Sequence, residues 1–249
     1  MLDYNKEADG YDVSRGGEAR AEAATRTLLD LIPDTVGRLL DVACGTGIVT
    51  RRLAAARPGL RVTGADLTPA MVRRATARLP GAIVRADSRR LPFRGGAFGA
   101  VTTVWLLHLL DDADDVRAIV AECARVLRPG GVYITTVDKA AAHDVGSDID
   151  VVLAPRPRRP AADAAGTVTG HATRCGLQPV GRSVFRGAGQ GRSPRETIAD
   201  LHRGWFTMLP PGDPRTEEFA ARLARLPDQN RPRPDPTFSV RAYRKPAAG

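Results

Sequence analysis

The chain has 249 residues, enough for one sizeable α/β core with an appended lid. Hydrophobic residues make up 43 % and charged residues 26 %, which excludes global disorder. The formal charge of +9 is spread out: Ala140 to Gly249 carries 17 Arg and Lys against 11 Asp and Glu, the remainder 20 against 17. A scattered basic surface of this kind, without a long basic run, weighs against nucleic acid as the partner.

No apolar run approaches the ~20 residues that span a membrane, and Met1 to Arg20 is too polar for a signal peptide. A cytoplasmic protein with no membrane partner is the expectation. Cys44, Cys123 and Cys175 form no CxxC pair and no cluster with His, so no metal site and no disulfide framework is expected.

In chain order, Glu18 to Ile32 is Ala- and Leu-rich and predicts a helix stopped by Pro33. Arg38 to Ala43 predicts a buried strand, Ile48 to Ala56 a helix and Arg61 to Ala65 a second strand. Thr68-Pro69 predicts a helix start, with Thr68 as the cap and Pro69 in the first turn. Ala82 to Arg85 and Ala100 to Val104 predict strands three and four. Asp115 to Leu127 predicts a helix ending at Pro129-Gly130-Gly131, and Val132 to Val137 a fifth strand. Such alternation is the pattern of a parallel sheet covered on both faces.

Beyond it, Pro155 to Pro160 predicts a solvated linker, Ala161 to Cys175 a helix and Gln178 to Arg186 a strand. Gly187 opens a glycine-rich stretch, and Ser193-Pro194-Arg195-Glu196 forms a capping box that predicts a helix from Pro194. Ile198, Leu201, Trp205 and Met208 give that helix an apolar stripe. Phe219 to Leu226 predicts a short helix and Phe238 to Tyr243 a last strand. The whole chain is expected to form one domain, 1–249, with 187–230 as a lid whose glycines let it hinge over the site. Arg192 and Arg195 at its helix start could meet an acidic group on a substrate.

The segment Leu40 to Gly47 (LDVACGTG) joins a strand to a helix, where glycines allow a sharp turn and the helix amides face a ligand. Dinucleotide folds use a similar turn, but their third glycine is replaced here by Thr50, and Asp41 precedes the loop. Asp66, after the second strand, can accept bonds from both hydroxyls of a ribose. Asp87, after the third, can accept from an adenine amino group. Three acids at successive strand ends converge on the crevice where open α/β sheets bind ligands.

The ordered set LDVACGTG, ADLTPAM, ADSRRLPF, WLLHLL and RVLRPGG resembles the class I S-adenosylmethionine-dependent methyltransferases, over roughly Tyr4 to Val137. The resemblance implies a doubly wound, seven-stranded, mostly parallel sheet with an antiparallel last strand and S-adenosylmethionine as cofactor. It implies that Asp41 and the loop Ala43, Cys44, Gly45 and Gly47 face the methionine part, and that Asp66 holds the ribose. Leu67 and Met71 would flank the adenine, Asp87 and Ser88 would read its edge, and Thr103 and Trp105 would lie near the sulfonium. Tyr4, Tyr11 and Arg15 would fold over the cofactor, with Arg15 near its carboxylate, or else form a surface helix. The family often has Asp at the position of Gly99.

Methyl transfer to an O, N or C atom of a small molecule is the expected reaction, by in-line attack in a positioned, water-free site. A base is needed only for a hydroxyl or a protonated amine. His108 is the first candidate, followed by Asp138, Lys139 and His143, then His202 on the lid. The rivals are an RNA or protein methyltransferase, a nicotinamide-dependent dehydrogenase and a silent nucleotide-binding domain. A homodimer is left open.

Overall fold

The computed structural model describes residues 3–155, 161–204, 209 and 212–247. The chain opens with two short helices, α1 (Tyr4–Glu7) and α2 (Tyr11–Ser14), then α3 (Gly17–Leu31). Alternation follows: β1 (Arg38–Val42), α4 (Ile48–Ala56), β2 (Arg61–Asp66), α5 (Pro69–Arg78), β3 (Ile83–Arg85), β4 (Phe98–Thr103), a 3-10 turn at Leu107–Leu109, α6 (Ala113–Val126) and β5 (Leu127–Val137). Then come α7 (Lys139–Ala142), α8 (Asp148–Leu153), α9 (Ala165–Arg174), β6 (Gln178–Arg186), α10 (Pro194–His202), α11 (Arg215–Ala224) and β7 (Thr237–Arg244).

The seven strands form one sheet in the order β3-β2-β1-β4-β5-β7-β6. β7 is antiparallel to both of its neighbours, and the pairings among β1 to β5 are parallel. Alternate residues of β1 feed opposite faces, as a strand's period of two requires. Leu39 packs with Leu28 of α3 and Leu53 of α4, whereas Leu40 and Val42 pack with Val116 and Val120 of α6 and Val168 of α9. Among the described residues no helix is long and apolar enough to cross a membrane.

Several local expectations change. β5 starts at Leu127 and runs straight through Pro129-Gly130-Gly131, with a register shift against β4. Thr68 is the N-cap of α5, but its hydroxyl caps nothing. Asn5 of α1 accepts from the Ala70 amide at 3.2 Å instead, so the free end of α5 is satisfied from a distant part of the chain. At Gly99 a Cβ would sit 3.1 Å from Val36 Cγ1 and 3.3 Å from Arg128 Nε, so a side chain there would require those two side chains to shift.

The expected lid is only part of a larger cap. Ile149 and Leu153 of α8, Leu201 of α10, and Phe219 and Leu223 of α11 form their own apolar cluster. Asp148 closes it with a two-pronged pair to Arg233, both contacts at 2.7 Å. The capping box at Ser193 and Glu196 is present. The glycines ahead of it are close-contact positions. A Cβ at Gly187 would lie 2.5 Å from Phe238, one at Gly189 3.2 Å from Gly16 Cα, and one at Gly191 2.1 Å from the Arg233 carbonyl oxygen. The Asp235 carboxylate also accepts from the Gln190 and Gly191 amides. Trp205 and Met208 of the expected stripe, and 156–160 of the expected linker, lie outside the described residues.

Candidate active site

Parallel strands end together, so the loops after β1, β2, β4 and β5 share one edge of the sheet. Three non-glycine residues with left-handed backbone stand at that edge: Ala43 after β1, Trp105 after β4 and Asp138 after β5. Such a conformation costs a side-chain-bearing residue of order 1–3 kcal/mol and clusters at functional sites.

The turn after β1 is held from two directions. The Gly45 amide donates to Asp66 Oδ2 at 2.8 Å, and the Thr46 hydroxyl donates to Asp12 of α2 at 2.6 Å. Arg78 of α5 joins the Thr46 carbonyl and Asp12. Gly47 lies so close to α5 that a Cβ would meet that of Ala75 at 2.9 Å, whereas at Gly45 a Cβ would meet nothing within 4 Å. Cys44 is buried, and burial pushes its thiol up, out of the range of a reactive thiolate.

Asp66 is 8 % exposed, and burial raises its carboxyl above the ordinary value. Its second oxygen accepts from the Thr68 amide at 2.8 Å. Each carboxylate oxygen keeps a further lone pair for a ligand hydroxyl. Beside it Leu67 is 52 % exposed, an apolar side chain open to solvent at the crevice. Met71 is buried instead, with Ala8 and Ala70 and with Tyr4 and Tyr11 packed on them. The N-terminal helices therefore cover α5, and Tyr11 stands edge-on to Tyr4 with Arg15 5.9 Å from its ring centre.

Four of the expected site residues are engaged by hydrogen bonds within the protein. Asp41 does not face the crevice: its two oxygens accept from Thr50 at 2.7 Å and Thr102 at 2.8 Å, and it braces β1 against α4 and β4. Burial lifts its carboxyl to about 6. Thr103 is also turned inward, sharing a hydrogen bond with the Tyr133 hydroxyl at 2.8 Å. Asp138 accepts from the Ala165 amide at 2.9 Å, at the start of α9, which is a capping role. His202 pairs with Glu217 at 3.2 Å on the cap surface, joining α10 to α11.

Asp87 is engaged as well. Arg89 grips both its oxygens, at 2.8 Å for the shortest contact, and holds its carboxyl below the usual range. Ser88 beside it is half-buried. At the β4 and β5 ends, the Trp105 ring stands edge-on to Phe185 and Phe238, and the His143 ring stands edge-on to Phe238. His108 and Lys139 are partly open to the crevice yet lie deep in the protein. Desolvation, aided by Lys139, His143 and Arg15, drives His108 well below its ordinary value, so it is neutral at pH 7. Desolvation and the charges of Arg15, Arg192 and Arg20 bring Lys139 down to about 7, against a smaller pull from Asp163.

Arg20 is the residue that sequence reasoning missed. It is 3 % exposed on α3, its guanidinium carbon is 4.0 Å from the Trp105 ring centre, and Tyr11 hydrogen-bonds it. Its Nε and the Trp105 Nε1 are buried without a hydrogen-bond partner. Such orphans suit a site that receives a polar ligand.

Residues 40–135 match the family described as a methyltransferase domain. A ubiquinone/menaquinone biosynthesis C-methyltransferase from Desulfotalea psychrophila is 39 % identical over 98 residues, covering 38 % of this chain and 39 % of that protein. A ubiquinone biosynthesis O-methyltransferase from Xanthomonas oryzae is 35 % identical over 132 residues, covering 48 % and 52 %. The methyltransferase bound to a Haloferax volcanii methyltransferase activator superposes with a TM-score of 0.62 at 19 % identity, over 99 % of both chains.

The seven-stranded fold is that of the methyltransferase it superposes on. The matched segment runs from β1 to β5 and holds the glycine turn, Asp66, Leu67 and Trp105. The chain spans about half or less of the length of these two curated relatives. In the matched segment the β1 and β2 ends offer a carboxylate, an open glycine and an exposed leucine. That donor set fits a nucleoside.

Proposed function

We propose that the chain transfers a methyl group from S-adenosylmethionine to a nucleophilic atom of a small molecule. The observation that carries this reading is the joint placement of Gly45, Asp66 and Leu67 at the crevice edge, within the segment matched to the methyltransferase domain. The relatives' printed roles in quinone biosynthesis, as C- and O-methyltransferases, support a small-molecule acceptor.

Asp66 would hold the ribose hydroxyls, Leu67 would cover the adenine, and Arg15 would hold the carboxylate. S-adenosylmethionine supplies an electrophilic methyl group. The protein's own share is to align the acceptor and keep water out, a contribution that alone can remove several kcal/mol from a barrier. The N-terminal helices cover one side through Asn5, Asp12 and Met71, and the cap would close the other. His108, held neutral, can accept a proton from an acceptor hydroxyl, although the burial that keeps it neutral also makes it a weak base.

The test is thermal. A ligand that binds only the folded form raises Tm by mass action. S-adenosylhomocysteine is expected to raise Tm and NAD to leave it unchanged; a shift with NAD and none with S-adenosylhomocysteine would overturn the reading.

A further inference from the structure

Among the described residues, four buried side-chain polar atoms lack a hydrogen-bond partner: Arg20 Nε, Trp105 Nε1, Gln190 Nε2 and His171 Nε2. Three of them surround one pair of rings. The Arg20 guanidinium carbon, bonded directly to Nε, is 4.0 Å from the Trp105 ring centre, and that ring is 5.9 Å from Phe238. Gln190 Nε2 approaches Phe238 across Gly187: a Cβ at Gly187 would be 3.1 Å from that nitrogen and 2.5 Å from Phe238 Cε2. His171 belongs elsewhere, on α9, which packs on the opposite face of the sheet from Trp105 and Phe238.

Native folds pair nearly all of their buried donors, so three without partners around one ring pair point to a ligand. They come from distant segments, α3, the β4 end and the glycine-rich stretch, so distortion of a single loop does not account for them. The place of Trp105 is itself fixed. Its backbone is left-handed at φ +58°, which a side chain disfavours, and its amide donates to the Thr136 hydroxyl at 2.8 Å.

The surroundings are ring-lined. Phe185 stands edge-on to Trp105 at 5.6 Å and tilted against Phe238 at 5.5 Å, and the His143 ring stands edge-on to Phe238 at 5.5 Å. A narrow cleft with Gln190, His143 and Pro236 in its walls opens beside them. Apolar walls with a few placed donors are the make-up of a small-molecule pocket. Position separates these donors from the nucleoside end. Asp66 ends β2 and Trp105 follows β4, two strands away in the sheet, which is roughly 10 Å at ~4.8 Å per strand, and Phe238 on β7 lies two strands further.

Resting on the methyltransferase reading above, we propose that Arg20 Nε and Trp105 Nε1, with Gln190 Nε2 on the Phe238 side, donate to ring-borne oxygens of the methyl acceptor, a phenolate or a conjugated carbonyl. The donors set the charge. One guanidinium, one indole and one carboxamide carry a single positive charge among them, which matches an oxygen with one negative charge or less rather than a phosphate dianion. The rings set the shape. A flat unsaturated body packs on Trp105 and Phe238 in offset or edge-on contact while its in-plane oxygen meets the donors. Held at that end, the acceptor presents the same atom to the methyl donor in every turnover.

The experiment is heteronuclear NMR on the full chain, with and without saturating S-adenosylhomocysteine. The chain has two tryptophans, and Trp105→Phe assigns the Trp105 indole N–H by its disappearance. The probes are 4-nitrophenol at pH 8, where it is the phenolate, acetophenone as the ring carbonyl, and ethylbenzene, which resembles acetophenone without the oxygen. The expected result is a saturable downfield movement of the Trp105 N–H with an oxygenated probe and none with ethylbenzene. Affinity for that probe is expected to fall at least tenfold in Arg20→Met and at least threefold in Gln190→Leu, with S-adenosylhomocysteine affinity in Arg20→Met within twofold of the parent's. The tighter of the two oxygenated probes identifies a phenolate or a carbonyl acceptor. Ethylbenzene binding as tightly as both overturns the proposal, and so does inorganic phosphate moving the resonance at a lower concentration than either. S-adenosylhomocysteine binding with no response to any probe overturns the ring-oxygen site and leaves the cofactor reading standing. An oxygen-dependent response without S-adenosylhomocysteine binding supports the site and overturns the cofactor reading. A tenfold loss of S-adenosylhomocysteine affinity in Arg20→Met assigns these donors to the cofactor and overturns the proposal.

Discussion

The Arg20 guanidinium lies over the Trp105 ring with its central carbon 4.0 Å from the ring centre, inside the protein and with Nε unbonded. A desolvated cation–π contact is worth ~2 kcal/mol, and the cost of burying a charge is several. Arg20→Met removes both. The variant is expected to melt at the same temperature as the parent or higher, while losing ligand affinity. A fall in Tm of more than ~5 °C would mean that Arg20 is retained for stability.

Asp41 makes folding pH-dependent. Its carboxyl stands at about 6 in the fold against an ordinary 3.8, because burial outweighs the bonds from Thr50 and Thr102. A carboxyl raised on folding contributes stability that is fully present below its unfolded value and lost as pH rises through its folded one. Over that window the shift is worth at most about 3 kcal/mol. Asn can accept from one threonine and donate to the other, so Asp41→Asn is expected to gain on the parent as pH climbs from 4 to 8. Parallel Tm curves for the two proteins over that range would contradict this.

At Asp66, loss of a charge-assisted acceptor costs about 1.5–3 kcal/mol, or at least tenfold in S-adenosylhomocysteine affinity for Asp66→Ala. The same carboxylate also holds the Gly45 and Thr68 amides, so Asp66→Asn, which keeps one acceptor oxygen, should lose less. Calorimetry on the two folded variants measures this order. Unchanged affinity in the alanine variant removes Asp66 from the site.

Gly16 carries the contact between the N-terminal segment and the glycine-rich stretch. Its φ of +83° costs a side-chain-bearing residue about 1–2 kcal/mol before any clash with Ala188 is counted. Gly16→Ala is expected to loosen residues 3–16 and weaken S-adenosylhomocysteine binding, read as faster proteolysis ahead of α3. Gly10→Ala, at φ −96° with nothing within 4 Å of the new Cβ, is the control expected to behave as the parent. Equal proteolysis of the two variants would show that the close approach is dispensable.

The alternating core was readable because each strand and helix announces itself locally, and α4, β6 and the capping box at Ser193 fall where the pattern puts them. Side-chain direction at the strand ends was not readable in the same way. Asp41, Asp87 and Asp138 sit where a ligand-binding acid would, but their partners Thr102, Arg89 and Ala165 decide where they point, and two of those come from other elements. Arg20 did leave a signal. It falls four residues before Ala24 and eight before Leu28, on the buried stripe of α3, where a charge is out of place. The cap was half-visible: α10 and α11 follow from local patterning, whereas α8 joins them only through tertiary burial of Ile149 and Leu153. At the glycines given a gating role, close packing requires glycine at 187 and 191, and a positive φ requires it at 189.

The placement of β7 between β5 and β6 sets the order in which the molecule can be completed. Among the described residues β6 has β7 as its one neighbour in the sheet, through pairs such as Ser183↔Val240, and β5 meets β7 through pairs such as Ile134↔Ala242. As the polypeptide emerges from a ribosome, β1 to β5 can associate early. The outer rim of β5 and the whole of β6 must wait, with unsatisfied amides and carbonyls, until the segment after the cap arrives. Unpaired edges in a half-made sheet invite association with other chains. A nascent product stopped ahead of Thr237 is therefore expected to recruit chaperones or precipitate, whatever the integrity of its cofactor half.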